Sequence, residues 1–446
     1  MSSSSRALER IGVTFDEPTI VADAGLIVPA TLMVRLGLEA LVNQMVRLGG
    51  RVGGALPGRK VLTLVAAILA GATHIDHANR LRAGATAKVL PFRVMAPSTL
   101  GTFLRSFTFG HIRQLDAVIA AAIGRAWSLG AGPGSSPMTI DLDSTIVEVH
   151  GDHKQGAGFG YTRVLGYHPL MATRAGTGEV LHARLRKGSA NTQRGVIRFA
   201  EELVARVRRC GATGALTVRA DAGFFNWDLI GTLVRLEVAF SITVILNKSI
   251  QKAIAQIRED EWRDITYPDG GKAQVAETTY VTGARKARRT QRHVRLVVRR
   301  TRLTDPVQQQ LWPAWRHHAF VTNVELPTVD VDQFHRRHAT IELAIRDLKE
   351  GAGLEHCPSG RFFANAAWLA CAVLAHDLVR WTARLGDLHP ADRLTVTSTI
   401  RSQVLSVPGR LVNRAGRLVL RLPERWPWAS QFSTALSRLR ALPLVT

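Results

Sequence analysis

Cysteine is nearly missing: Cys210, Cys357 and Cys371 are the whole complement of a 446-residue chain. An odd, sparse count with no Cys-x-x-Cys pair argues against a disulfide framework or a zinc ribbon, and predicts reduced thiols, as in a cytoplasm. His356-Cys357 has no second ligand at a metal-binding spacing, and none of the 15 histidines, His317-His318 and the nearby His150 and His153 included, forms a zinc pattern. Acid is scarce too: 35 Asp and Glu face 58 Lys and Arg, a net charge of +23. A GC-rich coding bias explains arginine in place of lysine, but not the missing acids. The balance therefore predicts a polyanionic partner, and nucleic acid is expected.

Clean apolar runs are also absent. The longest, Phe362–Val379, contains Asn365, His376 and Asp377 and is followed by Arg380. Charges at that depth are costly in lipid, so a buried helix is predicted and no membrane partner is expected. The start, MSSSSRALER, is polar, and no secretory signal is expected. Gly156-Ala-Gly158-Phe-Gly160 imitates a nucleotide loop, but lacks the strand–loop–helix setting and a following Lys-Ser/Thr; it reads as a hairpin.

What the chain does carry is periodicity. Residues 1–135 read as a mainly helical DNA-binding or dimerisation domain, with apolar spacing of three and four over Leu36–Leu48 and Val61–Ala72. Another helix opens at Pro97-Ser98-Thr99 with Ser98 as its cap, and one more runs from about Ile112 to Leu129. The Gly/Pro/Ser stretch at 131–137 marks a boundary. Residues 136–247 then read as three strands, helix, strand, helix, strand, an α/β pattern with antiparallel and parallel parts. Residues 248–330 break it with a β-rich insertion. Nine basic residues and no acid lie between Arg285 and Arg302 there, and Arg288, Arg289 and Arg292 are expected on phosphates. Trp262, Trp312 and Trp315 in the same region read as packing, with Trp262 the one candidate for stacking on an unpaired base. Residues 331–385 form two long helices, and 386–446 a basic tail with nine Arg against three acids.

Three carboxylates stand out. Asp141 and Asp143 alternate on one face of a strand whose other face is Ile140 and Leu142. Strands are poor in Asp, so the pair calls for a cation, a partner or solvent at a sheet edge. Asp221 ends the next apolar strand, where functional groups of open sheets gather, though Asp near Gly is also ordinary turn chemistry. On the 331–350 helix, a period of about 100° per residue brings His335, His338, Glu342 and Lys349 within an arc of about 60°. Ile341, Ile345 and Leu348 form a separate packing stripe; a solvated face of ion pairs is the plainer alternative for the polar edge. Clustered carboxylates repel unless a cation joins them. Two Mg²⁺ ions roughly 4 Å apart suit oxygen ligands and phosphoryl chemistry.

Three blocks carry a resemblance. They are Thr139-Ile-Asp-Leu-Asp-Ser-Thr145 with Gly166-Tyr-His-Pro-Leu170, Val218-Arg-Ala-Asp-Ala-Gly-Phe224, and His335 through Lys349 leading into Asn365-Ala-Ala-Trp-Leu369. Together they resemble bacterial insertion-sequence transposases of the DDE class, in particular the branch named for insertion sequence thirteen-eighty. The gaps agree: 78 residues from Asp143 to Asp221, then 121 to Glu342, the longer holding the insertion. The resemblance implies an RNase H-like catalytic core interrupted by a β-rich insertion. It selects Asp143, Asp221 and Glu342 as ligands of two Mg²⁺ or Mn²⁺ ions, leaves Asp141 as a possible extra carboxylate, and gives Lys349 a scissile phosphate. The family's Tyr and Arg places before the Glu are held here by His335 and His338. Arg336 and Arg337 stand beside them and Arg346 beyond, all expected on DNA. The implied protein cleaves its element's terminal inverted repeats and joins the 3′-OH ends to target double-stranded DNA. It would work as a homodimer or larger multimer in a bacterial cytoplasm, associated with the nucleoid. An RNase H-like nuclease without strand transfer, or an inactive DNA-binding protein, are the alternatives.

Overall fold

A computed structural model of the chain describes residues 11–151, 153–160, 163–267, 271–282, 291–302, 315–389 and 394–445. A short strand β1 (Ile20–Val21) precedes helices α1 (Ile27–Arg35), α2 (Leu38–Met45), α3 (Pro57–Leu69), α4 (Pro97–Arg105) and α5 (Phe109–Ala126). Helix α3 is buried on nearly every side, which its nearly unbroken apolar run from Val61 requires. Ser98 does not cap α4: the cap falls two residues earlier, at Ala96, with Pro97 in the first turn, where its missing N–H costs nothing. The 131–137 stretch is pinned rather than free, since Thr213 N–H donates to Gly134 O at 2.9 Å.

Then come β2 (Met138–Ser144), three short strands β3 (Val147–Glu148), β4 (Gly158–Phe159) and β5 (Leu165–Tyr167), and the strands β6 (Leu170–Arg174) and β7 (Val180–Arg184). Helix α6 (Val196–Arg209), β8 (Leu216–Ala220), α7 (Trp227–Arg235) and β9 (Ala239–Thr243) complete the pattern read from the sequence. After α8 (Lys248–Ile254), strands β10 (Arg263–Ile265), β11 (Ala273–Thr282), β12 (Arg292–Arg302) and β13 (Trp315–Thr322) follow. These four do not form a sheet of their own. The nine strands run β10-β11-β12-β13-β9-β8-β2-β6-β7, because β13 pairs antiparallel with β9 through Phe320↔Thr243, Val321↔Ile242 and Thr322↔Ser241. Within this mixed sheet β2, β8 and β9 are parallel and the other pairings antiparallel.

The expected 331–350 helix is shorter and less regular. Helix α9 (Thr328–Arg336) tightens into a 3-10 turn at Arg337–Ala339, continues as α10 (Thr340–Arg346), and widens into a π-turn at Asp347–Gly351. Helix α11 (Phe362–Leu385) is long and apolar enough to cross a bilayer, but most of it is buried inside the protein. The C-terminal region is folded rather than a tail: a short α12 (Thr397–Ile400), the hairpin β14 (Gly409–Arg414) and β15 (Arg417–Arg421), and α13 (Ala429–Ala441). Strand β14 pairs with β1, and Val445 N–H donates to Arg35 O at 2.8 Å, so the C-terminal region closes on the N-terminal helices.

Candidate active site

Strand β2 lies inside the sheet, between β8 and β6, and presents Asp141 and Asp143 on one face, but their surroundings differ. Asp141 is fully buried and already partnered. Arg219, from the neighbouring β8, donates Nε and Nη2 to its two oxygens at 2.7 and 2.9 Å, and His338 Nδ1 lies 2.9 Å from Oδ1. A bidentate guanidinium uses up the negative charge of a buried carboxylate. Asp141 is thus a structural ion-pair partner here and not a spare ligand.

Asp143, one pleat on, has no ion-pair partner among the described residues. It accepts the Ser144 N–H at 2.6 Å. Burial pushes its carboxyl up, to about 6. The Ser144 N–H works against that, the charge of Asp221 adds to it, His338 opposes it, and Glu342 adds again. Asp221, exposed just past the end of β8, accepts from Gly223 N–H at 3.0 Å. Glu342, exposed on α10, is likewise without an ion-pair partner among the described residues. The fold therefore brings three carboxylates from three distant parts of the chain into one another's field, and among the described residues no arginine is paired to any of them.

The helix carrying Glu342 is fixed across the sheet by its neighbours. His335 is buried, stacked on Phe320 with ring centroids 4.0 Å apart, and its two nitrogens meet Ser241 Oγ at 2.8 Å and Thr243 Oγ1 at 2.9 Å. Burial holds it neutral, well below the usual histidine range. The expected DNA contact from His335 is corrected accordingly: Ser241, Thr243 and the Phe320 ring hold its imidazole against the sheet. His338 likewise turns inward, onto Asp141. Farther along, Asp347 accepts from Thr397 N–H and Oγ1 at 2.9 and 2.6 Å and from Arg380 at 3.0 Å, which anchors the π-turn. Lys349 follows it, half-buried, and donates to Ile146 O at 2.8 Å beyond the end of β2. Burial lowers its ammonium's pKa, while Glu355 and Asp143 pull the other way. With one donor on Ile146, an ammonium has two more for another acceptor.

The remaining residues expected on DNA divide. Arg337 and Arg346 are exposed along the same helix. Arg336 is ion-paired with Asp332 at 3.0 Å and lies over Tyr267. Arg292 is exposed at the start of β12, whereas Arg288 and Arg289 lie outside the described residues. Others in that basic run are engaged within the fold: Arg295 with Glu277, Arg299 with Asp332 at 2.7 Å, and Arg300 with Glu259 at 2.7 Å. Arg300 is held between Trp262 and Trp315, 4.1 and 4.5 Å from their ring centroids, so Trp262 packs on a cation. Trp312 lies outside the described residues.

Sequence reasoning missed Arg219 and His168, both inside blocks it singled out. Buried His168 links Ala190 O at 2.7 Å to Ser144 Oγ at 2.9 Å, beside Asp143. It also missed a second acidic cluster. Asp116 on α5, His182 on β7 and Glu202 on α6 offer ligand atoms all within 4.8 Å of one another. That cluster is tighter, but it is already neutralised: Arg206 reaches Asp116 at 2.6 Å, and Arg113, Arg184 and Arg198 all reach Glu202. Burial would raise Asp116, yet His182 and Arg206 hold it well below the usual carboxylate range; Glu202 is held low by His182, Arg113 and Arg184. Four guanidiniums against two carboxylates repel a cation. Asp143, Asp221 and Glu342, by contrast, carry no ion-pair partner among the described residues.

The family model described as transposase DDE domain group 1 matches residues 4–444. No curated protein matches the chain. Among solved structures, a piggyBac transposase in a cryo-EM synaptic complex with hairpin DNA aligns with 96% of this chain and 83% of that one, at 11% identity and a TM-score of 0.45.

Proposed function

The chain belongs to the transposase DDE domain group 1 family, a family of DNA transposases, and from that membership we propose that Asp143, Asp221 and Glu342 are its metal-binding carboxylates. The observation that carries this reading is electrostatic. Asp143 is pushed up to about 6, with the charges of Asp221 and Glu342 among the causes, and none of the three has an ion-pair partner among the described residues. A fold does not leave three carboxylates unneutralised without cost, and a cation removes it. The sheet order supports an RNase H-like core. Counting from β2, the first five long strands lie in the order third, second, first, fourth, fifth, with β2, β8 and β9 parallel.

In this reading the protein recognises the terminal inverted repeats of an insertion sequence of the bacterial type its motifs resemble, as a dimer or larger multimer, in the cytoplasm. Water cleaves the phosphodiester at each end and releases a 3′-hydroxyl. That hydroxyl then displaces a 3′-oxygen in target DNA, so one phosphodiester forms as another breaks. Two Mg²⁺ or Mn²⁺ ions held by the three carboxylates would supply activation of the attacking oxygen and charge for the leaving one. Lys349, fixed by Ile146 O and with donors to spare, holds a phosphate oxygen as a point charge. Asp141, Arg219 and His338 keep α10 seated over β2. Arg337, Arg346 and Arg292 contact backbone phosphates.

The test incubates purified protein and Mg²⁺ with DNA carrying the flanks of the reading frame, and compares wild type with Glu342→Gln. Cleaved ends and joined products from wild type, with a loss on the order of 100-fold or more in the variant, are expected. Cleavage without joining would make the protein a nuclease. Equal activity in the variant would remove Glu342 from the site, and sequence-specific binding with no cleavage by either protein would leave a binding protein.

A further inference from the structure

The hairpin β14–β15 has a face that is mostly exposed among the described residues. Its register sets Arg410 opposite Arg421, Val412 opposite Val419 and Arg414 opposite Arg417. Directly opposed residues share a face, so these six form one side, and Leu411, Leu420, Asn413 and Leu418 the other. Leu411 and Leu420 pack on the core, which turns the arginine side outward; all four arginines and Val419 are exposed. The strands are joined through Ala415 and Gly416, at φ 51° and 78°, a tight two-residue turn with both central residues left-handed. Strand β1 covers the far edge of β14, and β15 is the free edge among the described residues.

The charge placement is costly for folding alone. Like charges directly opposite each other destabilise a hairpin, and this one has two such rungs, with no acid between Ser406 and Pro423. Arg410 has Glu17 at 2.8 Å, while Arg414, Arg417 and Arg421 have no ion-pair partner among the described residues. A polyanion laid on the outer face relieves the repulsion. The spacing suits a duplex: rungs four residues apart stand roughly 13 Å from each other, near the ~12 Å width of the B-DNA major groove, which admits a two-stranded ribbon.

We propose that residues 409–421 are a β-ribbon that binds double-stranded DNA, with the two arginine rungs on phosphates either side of a groove and Val412 and Val419 between them. The binding is independent of base sequence. It rests on DNA being the substrate, but not on which carboxylates hold metal.

The experiment measures equilibrium binding of the full-length protein to a random-sequence duplex across a salt series, for wild type, Arg414→Ala/Arg417→Ala/Arg421→Ala, the matching triple Lys variant, and Glu342→Gln. The slope of log K against log salt should shrink by about 0.9 for each phosphate no longer neutralised, up to ~2.7 in the triple Ala variant. Affinity should fall about tenfold or more at low salt, while the Lys variant keeps the wild-type slope. An unchanged slope in a triple Ala variant that melts like wild type overturns the proposal. So does a change of oligomeric state with DNA affinity intact, which would make the face a protein interface. If the triple variant does not fold, Arg417→Ala and Arg421→Ala decide singly: a slope smaller by about 0.9 in each supports the ribbon, and no change overturns it. Because binding is read without catalysis, a reduced slope in the Ala variants together with full activity in Glu342→Gln would sink the carboxylate assignment and leave the ribbon standing.

Discussion

Asp141 and Asp143 sit two residues apart on one face of one strand and have opposite fates, because a single arginine reaches one and not the other. With Arg219 committed to Asp141, Asp143 keeps its charge uncompensated and its carboxyl rises to about 6, through burial first and then through Asp221 and Glu342. The consequence for pH follows from linkage. In the metal-free protein the folded state binds a proton at Asp143 between about pH 4 and 6 that the unfolded chain does not. The stability this proton brings is present at the acid end and is lost as pH rises through about 6. A divalent cation competes for the same oxygens. The rise in Tm on adding Mn²⁺ should therefore be small at about pH 5 and grow to a plateau above about pH 6.5, and Asp143→Asn should flatten the dependence. Thermal melts with and without Mn²⁺ across that range check it; an equal rise at about pH 5 and about pH 7.5 would count against Asp143 as a ligand.

At the scale of elements, the segment from α9 to the π-turn bridges parts of the protein that the sequence pattern treats separately. Arg219 ties it to the sheet through Phe334 O at 2.5 Å, with the guanidinium over the Phe334 ring, and His338 of the segment meets Asp141, which the same arginine holds. Arg219→Met leaves Asp141 buried without its partner and should cost about 3–5 kcal/mol, lowering Tm and, by unseating α10, cleavage as well. Glu342→Gln, at an exposed position, should abolish cleavage with stability changed by no more than about 0.5 kcal/mol. Calorimetry on the two variants separates them; a lowered Tm in both would make Glu342 structural. The same bridge marks how far the sequence could be read. Alternation and 3.6-residue periodicity are local signals, and they placed the strands and helices between 139 and 246 and the carboxylates at strand ends and on a helix. What escaped is set by distant partners. His335 on α9 answers to Ser241 and Thr243, and the π-turn to Arg380 and Thr397, which a regular helical projection does not include. Likewise the Arg285–Arg302 run looks unbalanced along the chain, yet Glu259, Glu277 and Asp332 neutralise three of its members across space. The Asp116–His182–Glu202 cluster joins α5, β7 and α6 and has no sequence spacing at all.

For the whole molecule, the same logic changes what the basic surplus means. Part of the +23 charge is structural, since Arg206, Arg219, Arg299, Arg300 and Arg380 are buried on carboxylates. The part available to DNA is concentrated in exposed elements such as the β14–β15 hairpin. That hairpin is not an appendage. It pairs with β1, and α13, just past Trp426 and Pro427, seats Phe432, Ala435 and Leu439 against the core, with Arg35 donating to Arg440 O from α1. Burying a Phe or Leu side chain contributes about 1.5–3 kcal/mol, so removing α13 forfeits roughly 3–6 kcal/mol from Phe432 and Leu439 together, against a total stability of about 5–15 kcal/mol for a typical domain. A chain stopped after Trp428 should therefore melt at a lower temperature, and limited proteolysis should reach α1 and α2, at the opposite end of the sequence, at the same time. If the shortened protein kept its Tm and its N-terminal helices stayed protected, α13 would contribute nothing to the N-terminal fold. The two ends of the chain would then be thermodynamically separate units, and the packing of α13 on α1 would be a surface contact rather than part of a shared core.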